Sequence, residues 1–80
     1  MHACVAFLLI NVDMGSESAV LGALKKIDSV KEAYMVYGVY DVVAKVKANT
    51  MGKLKEIVVS LRRLDKVGST ITMMAIEETK

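Results

Sequence analysis

Leu24-Lys25-Lys26-Ile27-Asp28-Ser29-Val30 returns later in the chain as Leu61-Arg62-Arg63-Leu64-Asp65-Lys66-Val67. Each copy has an apolar–basic–basic–apolar segment, then an aspartate, one further residue and a valine. The basic pair suits the negative end of a helix dipole, Asp with its successor breaks the helix, and Val opens a strand. Two copies of one helix-to-strand passage imply two related halves.

Working outward, residues 3–12 are apolar almost without a break and read as a strand buried on both faces. Asp13-Met14-Gly15-Ser16 is a turn in which Gly15 or Ser16 caps a helix. That helix carries Val20, Ala23, Leu24 and Ile27 at helical spacing and runs to about residue 27. Residues 30–37 form a second strand and residues 40–47 a third. Only Gly38-Val39 separates them, so they must pair as a hairpin. Thr50 caps a second helix over residues 51–64, whose buried stripe is Leu54, Ile57, Val58, Leu61 and Leu64. Val67-Gly68 leads into a fourth strand over residues 69–77.

The order is β-α-β-β-α-β, in one domain spanning residues 1–80. Two β-α-β halves related in this way give an α+β, ferredoxin-like fold with an antiparallel four-stranded sheet. Right-handed crossovers place both helices on one face. The other face should then read polar if it met water. It does not. The fourth strand carries Ile71 and Met73 on one side and Met74 and Ile76 on the other, and the first strand is apolar throughout. With 54% hydrophobic residues in 80, one copy holds more apolar surface than it can bury. A two-fold dimer packed sheet to sheet, a dimeric α/β barrel, is the expected outlet.

Composition narrows the function. The formal net charge of +2 gives no case for nucleic acid. The longest apolar run, residues 3–10, is too short to span a membrane and lacks the flanks of a signal peptide. One cysteine, Cys4, excludes a disulfide framework and suits a reducing cytoplasm. His2 and Cys4 share a strand face, but no second His or Cys completes a metal site. No catalytic constellation exists around the one histidine, and the five glycines stand singly, so no phosphate loop is present. Glu77-Glu78 reads as a solvated tail, and the basic helix ends read as dipole-compensating surface. An RNA-recognition domain shares this element order but needs aromatic residues on its central strands; Phe7 and an edge Tyr40 do not supply that platform. We therefore expect no enzyme, no cofactor and no metal.

Tyr37-Gly38-Val39-Tyr40-Asp41 is the segment with chemical potential. Gly38 can take a positive φ and bring backbone N–H groups to a ligand. Hydroxyls and N–H groups suit a carboxylate, and Asp41 suits an ammonium; these are the two ends of an amino acid. Ser69, Thr70 and Thr72 can add donors. A purely structural hairpin, with Asp41 capping its own loop, explains the same residues.

The Gly38-Val39-Tyr40-Asp41 hairpin, the Val67-Gly68-Ser69-Thr70-Ile71-Thr72 strand entry and the element order together resemble the effector-binding domain of the Lrp/AsnC regulators. That domain is also called RAM, for regulation of amino-acid metabolism. The resemblance covers nearly the whole chain. It implies dimers joined through their sheets and rings of dimers reaching octamers or decamers. It also implies an amino-acid effector held between dimers near Gly38, Tyr40, Asp41, Ser69, Thr70 and Thr72. Full-length regulators carry an N-terminal helix-turn-helix. Here the first strand begins at about residue 3, so the chain resembles the stand-alone members. No direct DNA binding is then expected, and co-assembly with full-length regulators becomes the expected route to transcription control. A small dimeric α/β-barrel enzyme is the competing function; it needs a pocket between helices and sheet, where Leu, Ile, Val and Met are expected instead. An ACT-like amino-acid module shares the fold but pairs copies along a sheet edge.

Overall fold

The structure is a computed structural model and describes residues 3–76. Its elements are β1 (Cys4–Val12), α1 (Glu17–Lys25), β2 (Val30–Met35), β3 (Val42–Ala48), α2 (Met51–Arg62) and β4 (Val67–Met74). They form one antiparallel sheet in the order β2-β3-β1-β4, the ferredoxin-like α+β arrangement expected from the repeat.

Strand alternation decides what each face buries. Ala6, Leu8 and Ile10 of β1 and Val42, Ala44 and Val46 of β3 are fully buried beneath the helices. Val20 and Leu24 of α1 and Leu54, Val58 and Leu61 of α2 complete that core. The space between helices and sheet is thus filled by apolar side chains. Both helices lie on this one face. Each buried leucine contributes about 1.5–3 kcal/mol through the water it sheds.

The opposite face is open. Phe7 and Met73 pair across β1 and β4, as do Leu9 and Ile71, so their side chains share that face. Phe7, Ile71 and Met73 remain 36%, 45% and 49% exposed. The expectation that β1 is buried on both faces therefore holds for only one face within a single copy. The other is left uncovered.

The local signals behave unequally. Thr50 caps α2 as expected, its Oγ1 accepting from the Lys53 N–H at 3.1 Å. Ser16 occupies the cap position of α1 but makes no side-chain capping bond. The helix ends come sooner than the periodicity predicts, at Lys25 and Arg62.

The hairpin differs from expectation. Strands β2 and β3 are joined by the loop 36–41, not by Gly38-Val39 alone. The cause is Asp41. Its N–H donates to the Ile10 carbonyl at 3.0 Å, and its own carbonyl accepts from Val36 at 2.9 Å. Its carboxylate accepts from the Val12 N–H at 2.9 Å. Residue 41 thus anchors to the end of β1 and starts β3 late. Strand β4 starts earlier than expected, at Val67, because Asp13 N–H bonds the Lys66 carbonyl and draws the strand entry into the ladder. It ends at Met74. His2 and Glu77-Glu78 lie outside the described residues.

Candidate functional site at the rim of the sheet

One end of the sheet gathers the residues singled out by sequence. Ile10, near the end of β1, pairs with Val42 on one side and Thr70 on the other. The loop 36–41, the β1 end, the β4 start and the α1 N-terminus therefore share a rim.

On the β3 side, Asp41 is half-buried, and its bond to Val12 occupies Oδ2. Gly38 is exposed with φ +149°, a backbone region that side-chain-bearing residues rarely enter. The two residues line a hollow of about 630 Å³, within the range of small-molecule sites. Glu17 and Ser18, from the first turn of α1, line it too. Glu17, the acidic residue of that first turn, also suits the positive end of the helix dipole. Its place at a strand-to-helix turn was the available signal for more. Tyr40 is half-buried, and Tyr37, in the same loop, is exposed and lines the hollow.

On the β4 side, Ser69 accepts a hydrogen bond from the Asn11 Nδ2 at 2.9 Å. Asn11 was missed in the sequence, although a polar residue near the end of an apolar strand marks it. Thr70 and Thr72 pair with Ile10 and Leu8, so they share the helix-covered side with those buried residues. Ser69 and Thr70 line a second hollow, with Arg62 and Arg63. Within one copy, then, β1 lies between Asp41 and the hydroxyl run. Gly38, Tyr40, Asp41, Ser69 and Thr70 reach one end of the sheet but divide between its two sides, and Thr72, opposite Leu8, lies further along β4 at mid-sheet.

The open face carries one polar cluster. Glu32 Oε2 lies 3.6 Å from Lys45 Nζ. Tyr34 donates its phenol to Glu32 Oε1 at 2.6 Å. The Lys45 ammonium stands 6.0 Å from the Phe7 ring centre, a cation–π distance. The Tyr34 hydrogen bond, aided by Lys45 and Lys47, holds the Glu32 carboxyl below its usual value. The same bond raises the Tyr34 phenol, since ionising it would place two negative charges together. Among the described residues, no three His, Cys, Asp or Glu side chains group to hold a metal. No helix there is long and apolar enough to cross a membrane.

Comparison with known proteins accords with this fold. The family model described as the Lrp/AsnC ligand binding domain matches residues 5–80. An uncharacterized HTH-type transcriptional regulator of Pyrococcus abyssi is 33% identical over 79 residues. That match takes in 94% of this chain and 53% of the regulator, so the chain spans about half the length of the curated relative. The crystal structure of the hypothetical protein PHS023 from Pyrococcus horikoshii superimposes with a TM-score of 0.87 at 37% identity. It covers 94% of this chain and 92% of that one. A transcriptional regulator of Neisseria meningitidis, solved as a complex with L-Met, matches with a TM-score of 0.82. It covers 96% of this chain and 52% of that one; at 16% identity the likeness is one of fold.

Proposed function

The chain belongs to the Lrp/AsnC ligand-binding-domain family, and from that membership we propose that it senses a small amino-acid effector in transcription control. It does so as a non-enzymatic cytoplasmic module, without cofactor. Copies pair through the open sheet face, and dimers assemble further, to octamers or decamers. The effector sits where one dimer meets the next, with Asp41 toward its ammonium. Gly38, Tyr40, Ser69, Thr70 and Thr72 supply backbone access and hydroxyls toward its carboxylate.

The observation that carries this reading is the anchored Asp41. Three hydrogen bonds tie residue 41 to Ile10, Val12 and Val36, which gives the loop bearing Gly38 a fixed frame. A preformed polar rim loses little freedom on binding. The division of the six residues across β1 fits a ligand completed by a second copy. The complex of the Neisseria meningitidis regulator with L-Met supports an amino acid as the ligand class. An enzyme of the same fold would keep a hollow beneath its helices, and Leu24, Leu54 and Leu61 fill that space here.

Full-length regulators bearing the same half-domain are the natural partners through the open face, and the chain acts by co-assembling with them. A thermal-shift screen of the twenty amino acids tests the effector. A ligand at a hundred times its dissociation constant adds about 2.7 kcal/mol of stability. Silence across all twenty rejects effector binding. Failure to co-purify with any full-length family member rejects co-assembly.

A further inference from the structure

The repeat that fixes the fold also provides an internal control for a second binding site. Its first copy places Lys25 and Lys26 at the end of α1, and its second places Arg62 and Arg63 at the end of α2. Either basic pair answers the helix dipole. Their surroundings differ. In the first half, Lys25 shares its hollow with Glu32 and Tyr34, so a carboxylate is already present. In the second half, Arg62 and Arg63 share a hollow of about 530 Å³ with Gly68, Ser69 and Thr70, and no acid lines it.

The local backbone explains how neighbouring arginines reach one hollow. Arg62 is the last helical residue, and Arg63 leaves the helix at φ −98°, ψ 1°. Lys66 then takes a left-handed backbone at φ 72° and turns the chain so that Gly68 to Thr70 close the far wall. Among the described residues the one ion pair is Lys45–Glu32, so neither Arg62 nor Arg63 is paired with an acid there, Asp65 included. Thr70 pairs with Ile10 and turns its hydroxyl to the helix-covered side that the arginines share, whereas Ser69 is turned away to bond Asn11.

We infer that this corner is an oxoanion site, holding a carboxylate or phosphate group between Arg62, Arg63 and the Thr70 hydroxyl. Guanidinium forks bind such groups through paired hydrogen bonds, which an ammonium cannot reproduce. The effector reading and this site share Thr70, and to that extent the site rests on that reading. It adds a ligand class: a molecule whose carboxylate or phosphate is held by guanidinium groups, whether or not it is an amino acid.

Thermal-shift titrations of the full chain with inorganic phosphate and with glutarate, ionic strength held by chloride, test it. The expected result is a saturable rise in Tm with at least one of the two. Phosphate alone identifies a phosphoryl ligand, and glutarate alone a carboxylate ligand. Arg62→Gln with Arg63→Gln should weaken the response at least tenfold, and Arg62→Lys with Arg63→Lys should weaken it several-fold. Lys25→Gln with Lys26→Gln should leave it unchanged. Phosphate stabilises proteins generally by exclusion from their surface, and an equal rise in every variant overturns the site. Full retention in the lysine variant overturns the guanidinium assignment. Asp41→Asn separates the two readings: it should remove any amino-acid response and spare the anion response. Anion binding in a chain that answers no amino acid keeps this site and rejects the effector.

Discussion

Asp41 anchors its loop in this structure and is the proposed ammonium partner, and two substitutions separate the two roles. Its carboxylate accepts the Val12 N–H at 2.9 Å in a half-buried setting. Asp41→Ala leaves that donor without its partner. Hydrogen bonds to charged groups are worth roughly 1.5–3 kcal/mol, and water reaches this one in part, so a loss of about 1.5–2 kcal/mol is expected. For a domain of this size each kcal/mol moves Tm by roughly 4–8 °C, so Tm should fall by about 6–16 °C. Asp41→Asn keeps an acceptor for Val12 and gives up only the charge, at a cost of about 0.5–1 kcal/mol. The backbone bonds of residue 41 to Ile10 and Val36 persist in both. Urea unfolding at one fixed protein concentration measures the pair, because association would otherwise shift the midpoint. The ligand experiment then uses Asp41→Asn alone, where the loop survives. If Asp41→Ala unfolds within about 0.5 kcal/mol of wild type, the anchoring argument fails. If Asp41→Asn still answers an amino acid as wild type does, the carboxylate is not the ammonium partner.

Other consequences follow from the same geometry. Thr50→Ala should cost about 1 kcal/mol through its lost cap, while Ser16→Ala, which breaks no capping bond, should cost only a few tenths; equal losses in urea unfolding would contradict the capping assignment. Ile71→Glu sets a carboxylate on the open face at a position already 45% exposed, so the fold should survive and the dimer should not. Sedimentation at micromolar concentration reads this directly, and a monomeric wild type rejects the sheet-to-sheet dimer. Glu32 should titrate below the ordinary glutamate range in carboxyl NMR, and Tyr34→Phe should bring it back up. Because the folded carboxyl is depressed, its stabilising effect is complete above the unfolded value and disappears as pH falls through the folded one. For Tyr34, whose phenol is raised, the effect is complete below the unfolded value and disappears at alkaline pH.

Much of the fold was legible because it rests on signals one residue wide. The repeated helix-to-strand passage gave the order of elements. Thr50 marked a helix start that the Lys53 hydrogen bond bears out. Alternation along β4 put Ile71 and Met73 on one face, and in the structure that is the face no helix covers. The errors have a different physical origin. Gly38-Val39 looks like a two-residue hairpin if only local turn chemistry is weighed. The loop is longer because Asp41 bonds to Val12, far away in sequence. Strand β4 starts at Val67 because Asp13 draws in Lys66. Contacts of that kind depend on which strands become neighbours, and no local pattern encodes them.

The candidate site shows the same limit more sharply. Sequence nominated Asp41 and Ser69 for one ligand, and both reach the same rim. Yet Asp41 is tied to β1 from the β3 side, and Ser69 is tied to Asn11 from the β4 side. Neighbouring strands lie about 4.8 Å apart, so crossing from β3 to β4 over β1 spans roughly 10 Å before any side chain is counted. An amino acid bridging that span within one copy would lie across Val12 and Asn11 rather than in a hollow. The two hollows instead open on opposite flanks, one lined by Glu17 and Asp41, the other by Arg62 and Arg63. A ligand that engages both sets of groups therefore needs the acidic flank of one copy beside the basic flank of another. If the proposed effector engages both sets, its binding and the assembly are one equilibrium. Dilution should weaken the amino-acid response in step with the loss of higher oligomers, and a response that stays constant after the assembly has dissociated would place both ends of the ligand within a single copy.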